Sequence, residues 1–98
     1  ATLSEAQMAG ADLDRADATA ANFSGASLEK ARLSSASLVG ANLNGADLEG
    51  ALLRRTDLSG ADLTDVRGLT EAQLALACGN ADTILPDGMS VRTCGAED

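Results

Sequence analysis

Residues 1–65 read ATLSE, AQMAG, ADLDR, ADATA, ANFSG, ASLEK, ARLSS, ASLVG, ANLNG, ADLEG, ALLRR, TDLSG and ADLTD when cut into fives. One phrase recurs thirteen times without a slip. The first place of each quintet is Ala, except at Thr56. The third is Leu in ten of thirteen, with Met8, Ala18 and Phe23 as variants. The second is usually Asp, Asn or Ser, and the fifth is often Gly. This pattern decides the fold, because no regular element accommodates it. On an α-helix five residues turn about 500°, so successive leucines scatter around the cylinder. On a straight strand an odd step sends alternate leucines to opposite faces. An apolar site every five residues therefore requires the chain to turn once per quintet. Fixed short periods mark solenoids, whose units bury their apolar faces by stacking on neighbours.

The A(D/N)Lxx phrase resembles the pentapeptide-repeat proteins, over about two thirds of the chain. The resemblance implies an all-β solenoid: a right-handed quadrilateral β-helix with one quintet per side and four per coil. It also implies that the central Leu or Phe and the small Ala point inward. The residue sizes agree, since leucines meeting from four sides leave room only for a tiny second inward residue. Gly10, Gly25, Gly40, Gly45, Gly50 and Gly60 stand at fifth places, where a tight corner calls for positive φ. With coils stacked at strand spacing, three and a quarter coils make a rod about 16 Å tall.

Period 20 assigns the centres to four sides. Side one stacks Leu3, Phe23, Leu43 and Leu63; side two stacks Met8, Leu28 and Leu48. Side three stacks Leu13, Leu33 and Leu53; side four stacks Ala18, Leu38 and Leu58. Phe23 follows the undersized Ala18, which reads as volume compensation. Outward Asn22, Asn42 and Asp62 fall above one another, where side-chain hydrogen bonds between coils are expected. Leu52 is expected to be exposed.

The repeat domain is assigned to 1–65 and a C-terminal cap to 66–98. Val66 takes a small inward site and Arg67 with Gly68 makes the exit. A helix is expected over about 70–78. Thr70 with Gln73 forms a capping box, and Leu69 with Leu74 a hydrophobic staple. Leu69, Leu74 and Leu76 or Ala77 are expected over the last coil, with Gly79 as helix stop. Such a lid covers a terminal edge that would otherwise pair with other chains. In the tail, Pro86, Asp87 and Gly88 make a turn between the apolar anchors Ile84, Leu85, Met89 and Val91. The pattern LTxAQL…ACG with TxLPxG resembles the ending of many bacterial pentapeptide-repeat proteins.

Cys78 and Cys94 each stand in the cap. A disulfide pinning tail to helix closes a loop worth about 3 kcal/mol on the chain-entropy model, and implies an oxidising compartment. A pair of free thiols in the cytosol is the alternative. A zinc site lacks further ligands, and no CxxC is present.

The chain of 98 residues carries a net charge of −8, has one aromatic residue, and has no His. The charge argues against nonspecific nucleic-acid binding. No apolar run approaches the roughly 18 residues of a membrane span. General-base histidine, GxSxG, Walker and GxGxxG motifs are all missing, and a leucine-filled tube leaves no pocket. Catalytic, cofactor-binding and metal residues are therefore expected to be none. Side three gathers Arg15, Arg32, Arg54 and Arg55 beside Asp12 and Asp14. These residues make either Asp–Arg pairs between coils or a guanidinium face for an anionic partner.

The expected function is a noncatalytic structural or protein-interaction module whose partner is an unknown protein. The resemblance also implies an alternative, a DNA-mimicking regulator or protector of DNA gyrase. The expected location is exported, bacterial periplasm or extracellular, with thylakoid lumen or cytoplasm as alternatives. The first coil begins in repeat register at Ala1, so a trimmed product is expected, monomeric or weakly self-associating end to end.

Overall fold

The computed structural model describes residues 4–86 and 88–94. Leu3 and Asp87, expected at an inward site and in a turn, lie outside the described residues. Residues twenty apart pair in parallel throughout: Gln7 with Ser27, Asp12 with Arg32, Asp17 with Ser37 and Asn22 with Asn42, continuing upward through Asp47, Leu52, Asp57 and Asp62. Each side contributes one short rung per coil. The four sides are those that the period of 20 assigns.

Two sets of backbone hydrogen bonds build this shape. Within a coil, the N–H of each first-place residue donates back to the carbonyl of the preceding centre, as from Ala31 to Leu28 at 3.0 Å and from Ala41 to Leu38 at 3.0 Å. Between coils, the second-place N–H donates to the coil below, as from Asp47 to Ala26 at 2.9 Å. Centre and fifth-place N–H groups donate upward, as from Leu28 to Asp47 at 2.8 Å and from Lys30 to Glu49 at 2.8 Å. The corner turn sets φ between +59° and +74° at every fifth place from Glu5 to Asp65. Six of these thirteen residues are Gly; Glu5, Arg15, Ala20, Lys30, Ser35, Arg55 and Asp65 adopt the left-handed conformation at a cost of roughly 1–2 kcal/mol each. Stacking outweighs that cost.

The core is a column rather than a centre. Leu28, Leu33, Leu38, Leu43, Leu48, Leu53, Leu58 and Leu63 are buried, each worth roughly 1.5–3 kcal/mol, with alanines between them. Thr56 is buried where Ala is the rule; its hydroxyl donates to the Leu33 carbonyl at 2.7 Å. Phe23 is buried, whereas Met8, Leu13 and Ala18 of the first coil are partly exposed and pack against the core from one side.

The cap extends the coil instead of merely covering it. Val66 packs against the core, half-buried, and Arg67 pairs with Asp47 on side two. Helix α1 (Glu71–Leu76) then replaces the strand of side three, Cys78 pairs with Asp57 on side four, and Ile84 pairs with Asp62 on side one. The helix is shorter than the expected 70–78. Thr70 is its N-cap, with the capping box complete, and Ala77 ends it in an extended conformation because the chain must rejoin side four. Leu69, Leu74 and Ala77 are buried as expected, but Leu76 is 50% exposed. Gly79 is not a helix stop. It pairs with Thr93, and a Cβ there would lie 2.6 Å from the Thr83 hydroxyl. Close packing, not a left-handed turn, requires glycine at that position.

In the tail Leu85, Met89 and Val91 pack against the core, while Ile84 is 52% exposed and anchors by its backbone alone. Gly88 has φ +83°, and Met89 N–H donates to the Pro86 carbonyl at 3.2 Å. No helix among the described residues is long and apolar enough to cross a membrane.

Candidate functional site

The outward residues of the coil carry whatever chemistry the molecule has. Second-place Asp and Asn side chains are committed to the backbone: Asp12, Asp17, Asn22, Asn42, Asp47, Asp57 and Asp62 each accept from the N–H two residues on, at 2.9–3.1 Å. Asn22, Asn42 and Asp62 therefore do not bond to one another as expected. Each short side chain instead satisfies the turn of its own quintet, which explains Asp and Asn at this place. Asp17 accepts from both the Thr19 hydroxyl and the Thr19 N–H, which hold its carboxyl below the ordinary carboxylate range.

Side three differs from its neighbours. Asp12, Arg32 and Leu52 stack as one ladder, with Arg15, Arg54 and Arg55 at its corners. Arg32 pairs across coils with Asp14 at 2.7 Å and reaches Asp12 at 4.0 Å. Asp14 also accepts from the Ser34 N–H at 3.0 Å. The structure thus places the four arginines on one side and engages Arg32 in a pair. Arg15, Arg54 and Arg55 are exposed and form no ion pair among the described residues. Leu52, half-exposed, stands where other quintets carry a polar side chain, directly above Arg32. Side three thus carries Arg54 and Arg55 in the same quintet as the exposed Leu52, with Arg15 two coils below.

Side two has the opposite sign. Glu29 stands beside Asp47 and Glu49, and its carboxyl is pushed above the ordinary range by side-chain hydrogen bonding to Asp47 and by repulsion from it. Arg67, next up the same side, pulls the other way more weakly. A shallow depression lined by Ala9, Gly10, Glu29, Lys30 and Glu49 follows this side, and another lies between Thr64, Asp65, Leu85 and Pro86.

Cys78 and Cys94 form a disulfide, with Cα atoms 4.8 Å apart. It fastens the last strand of the tail, where Cys94 N–H donates to the Gly79 carbonyl at 2.8 Å, onto the top of side four. Asp57 underlies it, with Oδ1 3.1 Å from Cys94 Sγ. The sequence singled out both cysteines but not their place beside Asp57, which pairs with Cys78, twenty-one residues on, because the cap inserts one extra residue.

Four flat sides, one quintet each, turning at left-handed corners around a leucine column define a right-handed quadrilateral β-helix. The family profile for pentapeptide repeats (8 copies) matches residues 1–34 and 31–67, and the chain belongs to the pentapeptide-repeat family. Two crystal structures share its fold. A pentapeptide repeat protein from the cyanobacterium Cyanothece 51142 is 33% identical, with a TM-score of 0.67, covering 93% of this chain and 56% of that one. A pentapeptide repeat protein from the thylakoid lumen of Arabidopsis thaliana is 31% identical, with a TM-score of 0.64, covering 92% of this chain and 57% of that one. The chain thus spans little more than half the length of either neighbour. No curated protein matches the chain.

Proposed function

We propose that the protein is a noncatalytic interaction module that presents side three to the acidic surface of a partner protein. The observation that carries this reading is the exposure of Arg15, Arg54 and Arg55, without ion pairs among the described residues, on the same side as the exposed Leu52. A rigid flat face loses little conformational entropy on binding, and a central apolar residue within charged surroundings is the usual anatomy of a contact patch. The same arginines make this side the wrong sign for imitating DNA, so the reading is favoured over action on gyrase.

The disulfide supports an oxidising, exported compartment, and the lumenal neighbour makes the thylakoid lumen a natural case beside periplasm and extracellular space.

Affinity capture from fractionated source cells tests the reading, using wild type and the triple variant Arg15→Glu, Arg54→Glu, Arg55→Glu. Proteins held by wild type in a salt-sensitive manner are expected to be lost from the variant. Capture of the same proteins by both would contradict it.

A further inference from the structure

We propose that reduction of the Cys78–Cys94 disulfide uncovers a site for one divalent metal ion of the zinc class, held by the two thiolates and the Asp57 carboxylate. The ligand atoms of these three residues lie within 4.8 Å of one another, and all three residues are half-buried. Zinc bonds sulfur at about 2.3 Å and carboxylate oxygen at about 2.0–2.2 Å, so ligand atoms around one ion stand roughly 3.5–4 Å apart. Once the S–S bond opens, rotation about the two Cα–Cβ bonds is the movement this site requires to part the sulfurs to that separation, over Cα atoms 4.8 Å apart. Cys78 is held by its pairing with Asp57, and Cys94 by its N–H on the Gly79 carbonyl.

Three protein ligands with a fourth position open to water is a common zinc arrangement, and thiolates select soft or borderline ions over calcium or magnesium. Asp57 suits this use. Its turn to Ser59 occupies one acceptor position, and Asn22 and Asn42 show that an amide serves such a turn equally well. Toward the intact disulfide the Asp57 carboxylate has no donor to meet, because neither sulfur carries hydrogen.

The chemistry balances simply. An external dithiol becomes its own disulfide as it delivers two electrons and two protons, and the S–S bond becomes two thiols. Metal binding then expels both thiol protons. The ion takes over from the disulfide in joining the tail to side four, so the cap stays closed under either redox condition.

The experiment uses the full chain, reduced by a phosphine without oxygen and titrated with Co²⁺ as the spectroscopic probe. One Co²⁺ per chain is expected, with thiolate-to-cobalt charge transfer and tetrahedral ligand-field bands; the oxidised chain should give neither. Asp57→Asn keeps an acceptor for Ser59 N–H and should bind at least about tenfold more weakly, since even outer-shell partners are typically worth that much. Asp57→Glu should retain binding. Absence of the charge-transfer band at equimolar metal, one ion bridging two chains, or equal affinity in Asp57→Asn would each overturn the proposal.

Discussion

Gln73 donates from Nε2 to the backbone carbonyl of Ala51 at 2.9 Å, standing in for a strand that α1 has replaced. In the coils below, the equivalent carbonyls of Ala11 and Ala31 accept from the N–H groups of Arg32 and Leu52. Nε2 also donates to Leu48 at 2.8 Å, while Oε1 accepts the Thr70 N–H at 2.7 Å. One amide thus closes a helix at one end and a coil edge at the other. Asn80 repeats the device on side four, where Oδ1 accepts the Gly60 N–H at 3.0 Å.

Gln73→Glu separates these two roles. Glutamate serves a capping box as well as glutamine does, but it turns an oxygen toward the carbonyls of Leu48 and Ala51. The variant should lose about 1–3 kcal/mol of stability at neutral pH, read from urea unfolding, and recover part of it in acid when the carboxyl regains a donor. Stability equal to wild type would mean that the coil edge does not depend on the amide.

Much of the fold was legible because the period of five leaves few alternatives. The turn at every fifth place follows from the quintets, whereas four quintets to a coil and the inward leucines rest on the resemblance to the pentapeptide-repeat family. The cap was only partly legible. Thr70, Gln73, Leu69 and Leu74 announce a helix, but local rules do not reveal that it substitutes for a strand. Hence its early end at Leu76 and the role of Gly79 were misread. The arginines were visible on one side, whereas the pairing of Arg32 with Asp14 depends on which coil lies beneath.

Glycines at positive φ should not be equivalent. At Gly60 an added Cβ meets only ordinary contacts, at 3.7 Å from Gly40 N, so Gly60→Ala should cost roughly 1–2 kcal/mol for its φ of +69°. At Gly68 the Cβ would lie 2.6 Å from Glu49 Cβ and 2.7 Å from its Cα. Gly68→Ala should therefore cost about 1–3 kcal/mol more. Ala20→Gly should be neutral or stabilising. Thermal unfolding of the three variants gives the order.

The two shifted carboxyls should act on stability in opposite senses. Glu29 has a folded-state pKa above its unfolded value, so its contribution is present in acid and lost as pH rises through the raised value. Asp17 has a lowered one, so its contribution is present above the unfolded pKa and lost as pH falls through the folded value. Glu29→Gln should therefore gain on wild type as pH rises from the acid range to neutrality, whereas Asp17→Ala should lose over the same interval. Denaturant midpoints measured across that interval check both signs.

The claim that side three is the working face is tested most directly by placing a photoreactive amino acid at Leu52, and separately at Asn44 on the opposite side, in otherwise intact protein. Irradiation in fractionated source cells should join the partner to the chain labelled at Leu52 and leave the chain labelled at Asn44 free. Equal labelling from both positions, or labelling from Asn44 alone, would contradict it.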